Sequence, residues 1–129
     1  MKYMLMFAGD EDYYAVFQSF PKEKQKEALE RVAKWWDEQM AAGRLLEGHG
    51  LQPTSTATTV RIQMSPAGES RRALVTDGPF IDAKERIGGY AIIDVPDLDA
   101  AIAMAKDWPA GGTVEIRPIN NLRDVLRDM

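Results

Sequence analysis

No cysteine occurs in this chain of 129 residues, and histidine occurs once. The first absence excludes a disulfide framework, a thiolate metal cage, an iron–sulfur site and a cysteine nucleophile. The second excludes a metal site made of two or three imidazoles from one subunit. Charge of neither sign dominates: 16 Lys and Arg stand against 20 Asp and Glu, a formal net charge of -4. Nucleic-acid binding asks for a basic face, and a pI near 5.0 argues against one. Long apolar runs are missing as well. Tyr3 to Ala8 is apolar but stops at Gly9-Asp10-Glu11-Asp12, too short for a signal core or a membrane span. The expectation is one domain over residues 1–129, cytoplasmic, with no membrane or nucleic-acid partner.

What is present is periodicity. Residues 2–8 alternate Tyr3, Leu5 and Phe7 with Met4, Met6 and Ala8, a strand apolar on both faces. Asp10-Glu11-Asp12 reads as an acidic loop, and Tyr13 to Phe20 as a poorly patterned connection. Pro21 suits a first helical turn. Leu29, Val32, Ala33, Trp36 and Met40 then recur at helical spacing up to Gly43, a C-terminal stop. On this helix Trp36 is expected on the core face and Trp35 at its margin. Leu45 to Leu51 is a glycine-rich strand, and residues 57–76 form a hairpin turning at Ser65-Pro66-Ala67-Gly68-Glu69. Gly88 to Val95 is a strand. Pro96-Asp97 opens a helix burying Leu98, Ala101, Ile102 and Ala105. Thr113 to Ile119 is the last strand, and Leu122 to Leu126 a short terminal helix.

Strand, helix, strand, inserted hairpin, strand, helix, strand is an α+β order. It matches a ferredoxin-like βαββαβ plan with an inserted hairpin. Both helices then cover one face of an antiparallel sheet. The strands at 2–8 and 90–93 still carry apolar side chains toward the other face. Leaving them wet forfeits about 25 cal/mol per Å². A homodimer packed sheet to sheet is the simplest cover; a hairpin or C-terminal tail folded over that face is the alternative.

Few residues offer chemistry. Asp77-Gly78-Pro79-Phe80 breaks a strand sharply. Its Asp77 either bonds its own turn or stands at a strand end as a general base. His49, between Gly48 and Gly50, is either a hydrogen-bonded structural residue or a proton relay. Arg61 lies on the polar side of its strand, as an ion-pair partner or as the anchor of a carboxylate or enolate. Glu115 and Arg117 read as a solvated face or as an ion pair between neighbouring strands. Asp10, Glu11 and Asp12 lack the spacing of a calcium loop, and Gly88-Gly89 lacks that of a phosphate loop. Trp35-Trp36 reads as packing. No cofactor or metal is expected.

Several stretches together resemble the YCII-related family, in particular its DGPF subgroup. They are Met1-Lys2-Tyr3-Met4-Leu5, Gly48-His49-Gly50-Leu51, Ala57-Thr58-Thr59-Val60-Arg61, Val75-Thr76-Asp77-Gly78-Pro79-Phe80, Lys84-Glu85, Gly88-Gly89-Tyr90, Asp97-Leu98-Asp99-Ala100-Ala101 and Val114-Glu115-Ile116-Arg117-Pro118. Ile81-Asp82-Ala83 departs from the subgroup's usual Ala-Glu-Thr, and His49 stands where it often has Glu or Gln. The resemblance implies a dimeric α+β barrel. It also implies a superfamily that includes cofactor-independent lactone isomerases, a lactone dehalogenase and small monooxygenases, with genes often near alternative sigma factors.

The resulting expectation is cofactor-free acid/base chemistry on a small organic acid or lactone. Asp77 and His49 are its candidate catalytic residues, and Arg61, Lys84 and Tyr90 its candidate substrate-binding residues. The alternative is a ligand-sensing or partner-binding module linked to transcriptional regulation. An enzyme must gather Asp77, His49 and Arg61 round one pocket. A sensor needs a mostly apolar pocket with few convergent polar groups.

Overall fold

The alternating strand at the start of the chain pairs on both sides. In the computed structural model, which describes residues 1–10, 13–80 and 85–129, β1 (Lys2–Asp10) lies between β5 (Glu85–Asp94) and β6 (Thr113–Pro118). β2 (Leu45–Gly50) pairs with the far edge of β5, so the antiparallel sheet runs β2-β5-β1-β6. β3 (Thr58–Met64) and β4 (Arg71–Asp77) form a separate two-stranded ribbon. With α1 (Tyr13–Ser19), α2 (Lys22–Ala41), α3 (Leu98–Lys106) and α4 (Leu122–Arg127), the chain is a mixed α+β protein with antiparallel sheets. None of the described helices is long and apolar enough to cross a membrane.

The core lies on the helix side of the four-stranded sheet. Tyr3, Leu5 and Phe7 of β1 meet Ala91 and Ile93 of β5, Leu45 of β2, Trp35 of α2 and Ala101 and Met104 of α3. Leu5 and Ile93 are wholly buried. At α2 the expected apolar stripe is rotated. Trp35 and Gln39 are buried, whereas Leu29 and Met40 are about half exposed and Trp36 is intermediate. The swap has a polar cause: Arg44 Nε donates to Gln39 Oε1 at 2.7 Å. The satisfied amide can therefore occupy a core position that a hydropathy pattern assigns to Met40. Leu98 is likewise exposed on α3, where Ala101 and Met104 take the buried positions.

The ends of the elements follow local chemistry. Gly43, at φ 75°, closes α2 with its N–H on Met40 O while Arg44 N–H reaches Gln39 O. This is the paired bonding of a Schellman motif, as the glycine stop implies. Pro21 caps α2 from just outside the helix. Asp97 caps α3 by accepting from Ala100 N at 2.9 Å. Residues 13–19 are a helix and not an irregular connection. Ser19 Oγ and Phe20 N–H cap its end locally, on Val16 O and Phe17 O, and Gln25 Nε2 of α2 donates to Gln18 O and to Phe20 O just beyond the helix. The Gln25 bonds join two elements, so no local pattern announces them.

Neither the ribbon nor the tail covers the helix-free face. The ribbon strands are exposed on both sides apart from Thr59, and α4 is exposed throughout. Val60, Ile62 and Val75 share one ribbon face, more than half exposed.

Candidate functional site

β2 and β5 carry glycines where they pair. Gly48 pairs with Ala91, His49 with Tyr90 and Gly50 with Gly89. A Cβ on Gly48 would run into the Tyr90 carbonyl and into the Trp36 ring at 2.8 Å. Gly48 therefore faces the helices, and its missing side chain is what lets the indole lie on the strand. By strand alternation Gly50 faces the same way, and His49 faces the opposite, helix-free side. There its ring lies 6.0 Å from that of Tyr90.

Beside these glycines a cleft of about 350 Å³ opens, walled by Phe7, Val32, Trp36 and Trp108 and floored by Gly48–Gly50 and Gly88–Gly89. Phe7 and Trp108 stack with centroids 4.1 Å apart, and Trp35 stands edge-on to both. All three tryptophans of the chain belong to this one cluster. The floor is open because a Cβ at Gly50 would meet nothing within 4 Å. At Gly88, where β5 bulges between Phe7 and Ala8 of β1, the nearest atom would be Phe7 O at 3.9 Å.

The sequence candidates fall into two groups. His49 and Tyr90 are neighbours on the main sheet, and the His49 backbone borders the cleft. Asp77 and Arg61 belong to the ribbon. Asp77 pairs with Thr58 and Arg61 with Leu74, which puts their side chains on opposite ribbon faces. Neither lines the aromatic cleft. The Asp77–Phe80 turn is held structurally: Gly78 has φ 94°, its N–H donates to Ala57 O, and its carbonyl accepts from Thr59 Oγ1 at 2.6 Å. Arg61 Nη2 donates to the Phe80 carbonyl at 3.3 Å. Among the described residues no hydrogen bond reaches the Asp77 carboxylate. Lys84, Glu11 and Asp12 lie outside the described residues. Among the described residues no three His, Asp or Glu side chains gather to hold a metal ion.

The cleft itself was not legible as a site. Trp36 and Trp108 are far apart in the chain, and each suits packing on its own. The available signal was the glycine pairing, two glycine-rich segments aligned across neighbouring strands.

On the helix-free face the register makes two rows. One runs His49, Tyr90, Met6, Glu115; the next runs Glu47, Ile92, Met4, Arg117. Half-buried apolar side chains fill the middle of each row, and charged or polar groups end it.

The model of the YCII-related domain matches residues 1–123. An uncharacterized protein from Rhizobium meliloti is 32% identical over 123 residues, covering 92% of this chain and 92% of its own.

Proposed function

This chain belongs to the YCII-related domain family, and on that premise we propose that it is a cytoplasmic homodimer of DGPF type that binds a small molecule in the aromatic cleft of each subunit. The observation that carries the binding reading is the cleft: concave, apolar, open at two glycines and walled by rings. Its volume is at the lower end of the ~300–1,000 Å³ usual for ligand sites. The strand order β2-β5-β1-β6 is the order of a ferredoxin-like plan with the ribbon inserted, which favours the dimeric α+β barrel.

Self-complementarity of the helix-free face supports the dimer. A two-fold axis between two such sheets and parallel to the strands sets Glu47 of one copy against Arg117 of the other. It also sets His49 against Glu115, with the Met4, Met6, Tyr90 and Ile92 stripes in the middle. An axis perpendicular to the strands sets Glu47 against His49 and Arg117 against Glu115. Either way opposite or hydrogen-bonding groups meet at the rim of an apolar centre. Light scattering should give twice the 14.4 kDa chain mass, and Met6→Asp should give a monomer. A wild-type monomer at micromolar concentration rejects the dimer.

Binding is favoured over catalysis because Asp77 and Arg61 lie on opposite faces of the ribbon and neither lines the cleft that His49 borders. Catalysis on a lactone or organic acid is the second reading, favoured by one observation. Asp77 shares the uncovered apolar ribbon face with Val60 and Val75, so a second copy could bring it to His49. In that case Asp77→Asn abolishes turnover and spares ligand binding; turnover unchanged in the variant rejects it.

The binding reading is tested by thermal shift against a panel of small lactones and carboxylates, with tryptophan emission recorded in parallel. A ligand should raise the melting temperature by mass action and change the emission. Gly50→Val, whose Cβ meets nothing within 4 Å and whose methyls would occupy the floor, should abolish both effects while keeping the fold. A panel that moves neither signal, or a response that survives Gly50→Val, rejects the cleft as the binding site.

A further inference from the structure

We infer that the aromatic cleft selects uncharged, flat ring compounds over small organic acids. The inference rests on the cleft being a binding site, and it names the class of ligand. Its walls are Phe7, Trp36, Trp108 and Val32, and none of them bears a charge. Among the described residues, the one ionisable residue on its border is His49, and strand alternation sends that imidazole to the other face, beside Tyr90. A carboxylate entering the cleft would lose part of its water and, among the described residues, meet no cation, a loss that buried charges recover only through a partner.

The shape favours a flat ligand. The floor is strand backbone stripped of side chains at Gly50 and Gly88, and the walls are ring faces and edges. A planar ring lies against both surfaces, and indole and phenyl rings attract another ring by offset or edge-on packing. Among the described residues, fixed charge borders only the neighbouring clefts: Asp10 lines one that shares Phe7, Gly88 and Trp108 with the aromatic cleft, and a second lies past Gly88. That second cleft, of about 360 Å³, is bordered by Arg86 and Asp10 together with Gln52, Thr54 and Ser55. Gly88 borders both clefts, so an acid that bound well would have to reach through toward Arg86.

A matched pair of probes separates these cases: phthalide, a neutral fused-ring lactone, and 2-(hydroxymethyl)benzoate, its ring-opened carboxylate. Isothermal titration into the full-length protein should show phthalide binding at least about 100-fold more tightly than the carboxylate, equivalent to ~2.7 kcal/mol. Gly50→Val, checked by circular dichroism for an intact fold, should remove phthalide binding. Equal or tighter binding of the carboxylate overturns the selectivity but leaves the cleft as a binding site, and loss of that binding in Arg86→Gln would locate its anchor. Phthalide binding that persists in Gly50→Val overturns the inference by placing the ligand elsewhere. Binding of neither probe, with carboxylates as the only active members of the wider panel, overturns it too. A panel with no active member overturns the cleft reading itself.

Discussion

Leu5→Ala should destabilise the protein by about 2–5 kcal/mol, the range for removing a large aliphatic side chain from a packed core. Leu5 is wholly buried and sits between Ala91 and Ile116 on the neighbouring strands, with the helix layer above it. Small Ala91 leaves little on one side to collapse into the space, which argues for the upper half of that range. Chemical denaturation at equilibrium measures the loss as a lower midpoint with an unchanged slope. Met6, one residue along the same strand, provides the contrast. Its side chain lies on the helix-free face and is only half buried in the subunit, so Met6→Ala should cost less than Leu5→Ala and show a dependence on protein concentration. Equal, concentration-independent losses at the two positions would contradict the division of β1 into a subunit core face and a face proposed for the dimer.

Gly48→Ala should cost about 1–3 kcal/mol, the usual penalty for overpacking. The added methyl meets two obstacles, the Tyr90 carbonyl on the paired strand and the Trp36 ring at 2.8 Å. The ring can tilt away, but the carbonyl belongs to the sheet. The loss should therefore come with altered tryptophan emission, because relief comes partly by moving Trp36. Gly50→Ala, two residues later on the same face, should be neutral or slightly stabilising, since its methyl meets nothing within 4 Å and alanine restricts the unfolded chain more than glycine does. Thermal melts of the two variants side by side test the pair. A neutral Gly48→Ala would mean that the indole does not rest on the strand.

Much of the fold was legible because its signals are local. Alternation in residues 2–8, the turn chemistry after Met64, the glycine after α2 and the Asp97 cap each act within a few residues, and each element stands where its pattern puts it. The misreadings share a different origin. Helix α1 takes part of its C-terminal capping, at Gln18 O, from a side chain of α2. The burial of Gln39 and Trp35 in place of Met40 and Trp36 depends on Arg44, beyond the helix. Periodicity cannot register a bond formed across a turn. The site was less legible still. His49 and Tyr90 were singled out separately, and only the register of β2 on β5 makes them neighbours. Asp77 and Arg61 are expected round one pocket with His49, yet alternation along a ribbon exposed on both sides parts them. The aromatic cleft joins residues from β1, α2 and the segment after α3, a juxtaposition that exists only after folding.

The ribbon leaves the chain between two strands that are already neighbours. Gly50 pairs with Gly89, and Leu51 N–H returns to Gly88 O at 2.8 Å, so the chain closes on itself at the base of the insert. In topological terms everything between these residues is one long loop of a β2–β5 hairpin. The entropy of closing such a loop grows only with the logarithm of its length. Lengthening or shortening the insert therefore costs the four-stranded sheet little. The glycine pair at its base lies in the ladder that closes the loop, so a change there acts on the four-stranded sheet itself.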